Sequence, residues 1–234
     1  MTLPPPPSPH GPRVVVLAAP SGGGKTTIAR ELLRRRPDAL GYSVSATTRK
    51  PRGSEQDGKD YHFLTRAEFQ RRVQAGEFLE WTEYAGELYG TLRVEVARVL
   101  AGGRHVVLDV EVRGARQVRR AYPRPASLVI FVIPPSPRVL LERLRQRRTE
   151  TEAELRQRIE IATREVETAL HELGDVYDHV LVNDALATAV QEVIDLIEER
   201  GSAAHRPRAM KRRLADWVRA LKDEALQLSQ STKE

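Results

Sequence analysis

Cysteine is absent from all 234 residues, which excludes disulfides and thiol chemistry and fits a reducing, cytoplasmic setting. No apolar run approaches the ~20 residues of a membrane-spanning helix. The longest, Leu128 to Ile133, has the length of a strand, so no membrane partner is expected. The opening MTLPPPPSPHGP has neither a basic n-region nor an apolar h-region. It is therefore expected to be no secretory signal, and residues 1–12 to form a disordered or extended proline-rich arm. A broad basic face is missing as well. Of the net charge of +6, +4 lies from Gly201 onward, where eight Lys and Arg meet four Asp and Glu. That distribution argues against a nucleic-acid partner. Arginines in an otherwise balanced domain suit small phosphorylated ligands. What remains is 40% hydrophobic and 30% charged, the composition of a globular domain long enough to bury a core.

The rest of the chain makes most sense as equipment around APSGGGKTT, Ala19 to Thr27. Val14, Val15, Val16 and Leu17 precede it as a short buried strand, and Ile28, Leu32 and Leu33 follow at helical spacing. Strand, glycine loop, Lys-Thr and helix make the context of a phosphate-binding loop. Glycines let the backbone N–H groups turn toward phosphate oxygens, and the helix start adds partial positive charge. Lys25 reaches the terminal phosphates and the Thr26 hydroxyl can ligate Mg²⁺. The strict pattern opens with Gly, whereas Ala19 stands here.

The first helix runs to about Arg36 and is ended by Pro37. Gly41 to Thr48 alternates in strand fashion and leads into the charged loop RKPRGSEQDGKD. Thr65 to Glu68 reads as a capping box opening a short helix that stops at Gly76. Phe78 to Tyr84 and Glu87 to Leu92 read as a hairpin turning at Ala85-Gly86. Residues 41–92 are therefore expected to be an inserted, strand-rich subdomain. Further strands are expected at His105 to Glu111, Leu128 to Ile133 and Val180 to Val182. Helices are expected at Arg93 to Ala101, 112–121, 136–147, about 151–173 and 185–200. Four parallel-type strands alternating with helices point to an open α/β sheet. From Ala209 to Leu228, Met210, Leu214, Trp217, Val218, Leu221, Ala225 and Leu228 share one stripe. This basic extension, 201–234, is expected to dock as an amphipathic helix on its own domain or a twin subunit.

Over residues 13–200 the chain resembles bacterial guanylate kinases, in one collinear series of motifs: APSGGGKT, YSVSATTRKPRGSEQDGKDYHF, FLEW, YGT, LDVEVRGA, FVIPPS, RTETEAELRQRI and VNDAL. The resemblance implies a P-loop NTPase-like parallel sheet core (13–40 and 93–200) flanked by helices. It adds a mixed β/α GMP-binding subdomain at 41–92 and a helical lid at about 136–160. It also implies phosphoryl transfer from ATP to GMP or dGMP by direct in-line displacement with Mg²⁺.

By that resemblance, Ala19, Pro20, Ser21, Gly22, Gly23, Gly24, Lys25, Thr26 and Thr27 hold ATP, with Asn183 on the adenine side. Arg49, Arg52, Tyr61 and Tyr89 hold the GMP phosphate, the two arginines as forked donors. Glu55, from the same loop, belongs to the implied GMP set. Glu80 stands where the family reads guanine, since a carboxylate accepts from both N1–H and the exocyclic amine. Ser45 and Thr91 add hydroxyls. Such a pocket can reject the wrong base by roughly 10⁴. Asp109 and Glu111 close their strand at the edge where open α/β sheets bind ligands. Asp109 is implied to hold Mg²⁺ directly or through water, and Glu111 to accept from the acceptor nucleotide. Arg143, Arg147 and Arg158 match the lid-side arginines that close on the β- and γ-phosphates. Gln146-Arg147-Arg148 replaces the family's usual Gly-Arg-Gly. The alternative is a non-catalytic module of this type that binds phosphorylated protein segments. Such modules have eroded phosphate loops, whereas GGGKT is kept here.

Overall fold

The computed structural model describes residues 11–84, 86–145, 152–199 and 207–230. Most of the segment expected as a proline-rich arm, Ala85 of the expected hairpin turn and Gln146-Arg147-Arg148 of the expected lid lie outside them. The chain divides into two compact units, Met1–Val16 with Ala29–Leu128 and Leu17–Ile28 with Val129–Glu234.

β1 (Val14–Ala18) passes from the first unit into the second, and all five residues are fully buried. A continuous apolar run of this kind suits a strand covered on both faces. After the glycine loop comes α1 (Lys25–Arg35), which turns Ile28, Ala29 and Leu32 inward. On its outer face Glu31 accepts from Arg34 and Arg35, 2.7 and 2.8 Å away, and these bonds hold its carboxyl down at about 2.

In the first unit, β2 (Leu40–Tyr42) is followed by β3 (Ser45–Thr47), β4 (His62–Phe63) and α2 (Arg66–Gln74). The hairpin strands β5 (Phe78–Tyr84) and β6 (Glu87–Leu92) come next, then α3 (Arg93–Ala101), β7 (His105–Val110) and α4 (Val112–Ala121). β4-β3-β6-β5 form a separate sheet over a small core of Ala46, Phe69, Phe78, Leu88 and Leu92. Phe69 and Phe78 stack at 4.2 Å and lock α2 onto that core. The Thr65 hydroxyl caps α2 by accepting from Glu68 N at 3.2 Å, and Gly76 follows the helix at φ +69°. The Glu68 carboxylate is engaged with Arg72 at 2.8 Å.

The second unit holds β8 (Ser127–Ile133) from Val129 on, then α5 (Pro137–Arg145) and α6 (Glu152–Glu172). β9 (His179–Val182), α7 (Leu186–Ile197) and α8 (Pro207–Gln230) complete it. The large sheet has the order β2-β7-β1-β8-β9, with β2–β7 and β8–β9 parallel. The extension helix α8 packs on α6 and α5 of its own unit. It buries Leu214, Trp217, Val218 and Leu221, and pairs Lys222 with Glu167 at 2.7 Å.

Gly41 to Thr48 is not one strand, as its alternation suggests, but two in different sheets. Gly41 lies so close to α3 that a Cβ there would stand 2.5 Å from Val99 Cγ1, which ties β2 to the large sheet beside β7. Ser45, Ala46 and Thr47 instead pair with Thr91, Gly90 and Tyr89 of β6. The two sets of partners belong to different sheets, so the chain leaves one sheet at Ser43-Val44 and enters the other. β2 thereby brings the large sheet to five strands, one more than the pattern of apolar runs reveals.

Candidate active site

The donor-type residues lie in the second unit. After β1 the chain turns through Ala19 to Gly24, with Gly23 N donating to Pro20 O at 2.9 Å. Gly22 and Gly24 sit at φ +85° and +92°, where a side chain would be strained. Gly23 has no room for one: a Cβ would lie 2.6 Å from Ala19 Cβ and 3.1 Å from Val132 O. Ala19 thus fits where the strict pattern has Gly because Gly23 leaves the space its methyl group fills. Lys25 opens α1, whose first turn contributes no acid of its own to offset the positive end of the helix. Thr26 and Thr27 are exposed, and Ser21 is half-buried.

Asn183 and Arg143 meet this loop. Asn183 Nδ2 donates to Gly23 O at 3.1 Å, and Arg143 Nη2 donates to Asn183 O at 3.3 Å. A Cβ on Gly24 would collide with the Asn183 amide and lie 3.6 Å from Arg143 Nη1. Asn183 therefore braces the back of the loop, a contact that a donor-base role alone does not anticipate. Arg158 stands half-buried on α6. Arg147 lies outside the described residues.

The acceptor-type residues all belong to the first unit. Strand register sets Ser45, Thr91 and Glu80 side by side across β3, β6 and β5. The irregularity between Phe78 and Glu80 shifts the register so that Glu80 rather than Leu79 faces Thr91. Thr91 Oγ1 donates to Glu80 Oε1 at 2.6 Å, both groups being buried. One row along, Tyr89 lies opposite Thr47. Its ring meets Tyr61 edge-on at 6.3 Å. Arg49 lies over the Tyr61 ring at 5.3 Å, and the Thr47 hydroxyl accepts from its backbone N–H at 3.1 Å.

Glu55 holds Arg49 in a two-point grip, Nη1 to Oε2 and Nη2 to Oε1, both at 3.0 Å. The Arg52 N–H also donates to Glu55, at 2.8 Å. A carboxylate repels a phosphate, so Glu55 in this arrangement orients the guanidinium. Arg52 itself is exposed. Asp109 is half-buried and bonded to the Tyr42 hydroxyl; burial, with that bond and the Asp109 charge, raises the Tyr42 phenol strongly. Nothing in the sequence marks Tyr42 as the group that orients Asp109. Glu111 does not close the strand as its pattern suggests: it lies past the end of β7, in the residue before α4, and its side chain makes no capping hydrogen bond there.

Electrostatically, Glu80 stands out. Burial pushes its carboxyl up to about 7; the Thr91 hydrogen bond opposes this, and the charges of Glu111 and Asp109 add to it. Because its folded value lies above the unfolded 4.5, the native state binds more protons between those limits. Stability therefore falls as pH rises through that window. A carboxylate kept short of water, beside two further acids, suits a ligand that brings N–H donors.

A family model for guanylate kinase matches residues 11–200. The chain belongs to the guanylate kinase family. It is similar to the human (Homo sapiens) guanylate kinase, 45% identical over 196 residues that make up 84% of this chain and 98% of the human one. It is likewise similar to the guanylate kinase of onion yellows phytoplasma (strain OY-M), 40% identical over 210 residues, 90% and 93% of the two chains. Among solved structures, a crystal structure of guanylate kinase from Anaplasma phagocytophilum matches with a TM-score of 0.59 at 29% identity, over 84% of this chain and 90% of that one. The guanylate kinase match ends at residue 200 and leaves α8 beyond it. Among the described residues no helix is long and apolar enough to cross a membrane.

Proposed function

We infer that this guanylate kinase transfers the terminal phosphoryl group of ATP to GMP, giving ADP and GDP, with Lys25 and Glu80 as its two defining side chains. The observation that carries the acceptor assignment is the buried Glu80 carboxylate, fixed by Thr91 and raised to about 7. Guanine presents N1–H and an exocyclic amine on one edge, and a carboxylate answers both. Adenine offers an acceptor at N1, which an ionised Glu80 would repel. Arg49, pre-oriented by Glu55, and Arg52 grip the acceptor phosphate, with Tyr61 and Tyr89 donating hydroxyls. The strand-rich segment 41–92 is the acceptor subdomain in this reading.

On the donor side, the glycine turn receives the triphosphate. Lys25, Arg143 and the lid-side Arg147 and Arg158 offset the charge that spreads over the transferring group. Transfer is direct: the chain needs to supply position and positive charge, with no covalent intermediate. Hydroxyl and carboxylate oxygens are the donors magnesium prefers, and Thr26 and Asp109 are of that kind. Among the described residues no group of three or more His, Asp or Glu could hold a metal. Magnesium commonly keeps several waters and draws its other donors from substrate phosphates and one or two protein oxygens. When bound, it neutralises charge on the β- and γ-phosphate oxygens. The Thr26 hydroxyl would hold it at the start of α1; Asp109, oriented by Tyr42, is the carboxylate of the first unit with that chemistry.

ADP release from ATP·Mg²⁺ with GMP as acceptor, followed across pH, tests the reading. Only ionised Glu80 accepts from guanine, so GMP binding expels a proton from a group near 7. The KM for GMP should fall as pH rises from 6 to 8 and level off above, a change of about tenfold. The second ionisation of the GMP phosphate, near ~6, acts in the same direction. Glu80→Gln separates the two, because the step centred on 7 should vanish in that variant. A KM for GMP that is flat from pH 6 to 8 in the unaltered chain would contradict the assignment.

A further inference from the structure

We propose that Gly114 is a specificity-determining position: its missing side chain makes the space in which the Glu80 carboxylate is held for the guanine base. This rests on the reading that Glu80 receives guanine. Gly114 lies buried in the first turn of α4, at an ordinary helical φ, so its backbone makes no demand for glycine. The demand comes from a neighbour. A Cβ at position 114 would stand 2.5 Å from Glu80 Oε2, 3.1 Å from Glu80 Cδ and 3.2 Å from Val110 Cβ. The helix thus comes up against one carboxylate oxygen while Thr91 Oγ1 holds the other at 2.6 Å. Glu80 is clasped between a hydroxyl on β6 and the bare backbone of α4, and its plane is set by the two together.

The consequence is specific to the carboxylate. Oε2 is the far end of a flexible side chain, so the fold can absorb an added methyl group by letting Glu80 turn away. Turning costs Glu80 its alignment with N1–H and the amine of guanine, and strains the bond from Thr91. Alanine is also a better helix former than glycine, which offsets the few tenths of an ångström by which Val110 must give. Gly114 is accordingly a positioning residue that acts through Glu80, and its effect should be confined to the choice of base.

Gly114→Ala should raise the KM for GMP and lower the ratio of kcat/KM for GMP over AMP by about 10- to 100-fold, the scale of a misplacement near 1 Å. The KM for ATP should stay within about twofold, and thermal unfolding should still be cooperative. The ratio is taken on one preparation and does not depend on the fraction folded. In a double-variant cycle, adding Gly114→Ala to Glu80→Gln should cost no further selectivity, because both act on one group. Unchanged selectivity in Gly114→Ala would overturn the proposal, as would equal losses for both acceptors or full additivity in the cycle. If Glu80→Gln lowers selectivity and Gly114→Ala does not, the proposal alone fails. If Glu80→Gln leaves selectivity intact, the reading of Glu80 fails first.

Discussion

Lys25→Ala should lower kcat for phosphoryl transfer by about 10³ or more while leaving the fold intact. Removing one preorganised donor from a developing charge costs roughly 10²–10³, and Lys25 supplies a full cation. It is the first residue of α1, directly after Gly24 at φ +92°, so the turn delivers it to the end of the loop. Its partners in the core do not depend on the ammonium: Ile28, Ala29 and Leu32 carry the buried face of α1. Circular dichroism and the unfolding midpoint should accordingly match those of the unaltered chain. A Lys25→Ala variant within tenfold of full kcat would remove Lys25 from the chemistry.

The second large effect is expected at Glu80. Glu80→Gln keeps the shape and the acceptor that Thr91 needs, but presents an amide donor to a base edge made of donors. Buried polar groups left facing like groups are costly, and sites built on such pairing discriminate by 10⁴–10⁵. The kcat/KM for GMP should fall by about 10²–10³, and far less for AMP, so that selectivity collapses. The KM for ATP should be little altered. The substitution also removes the ionisation that lowers stability between 4.5 and about 7, so unfolding should become less dependent on pH in that window. Selectivity equal to that of the unaltered chain would show that the base is read elsewhere.

What was legible in the sequence was whatever local pattern dictates. The loop, the hairpin, the Thr65 cap and α3 and α4 follow from glycine placement, alternation and capping chemistry, and they stand where those patterns put them. The motif resemblance brought Glu80 and Thr91 into one set, and the structure adds the bond between them. The features that stayed hidden depend on pairing between distant segments. Gly41 to Thr48 alternates throughout, and only the neighbours available to each half, Val107 for Tyr42 and Thr91 for Ser45, decide that it divides. The bulge that faces Glu80 toward Thr91 leaves no mark in FLEW. The resemblance places Glu55 in the GMP set, but its two-point grip on Arg49 is seen only in the structure. Gly114 looks like a weak helix residue until the Glu80 oxygen beside it is located. The stripe of α8 announced a docked helix, but only the structure names α6 and α5 as what it covers.

The most direct measurement is a panel of acceptors, GMP, dGMP, AMP, UMP and CMP, each with ATP and magnesium, with ADP formation followed to kcat/KM. GMP should turn over well, and its kcat/KM should exceed that for AMP, UMP and CMP by about 10³ or more. Absence of turnover with GMP, or equal turnover with all four bases, would contradict the account.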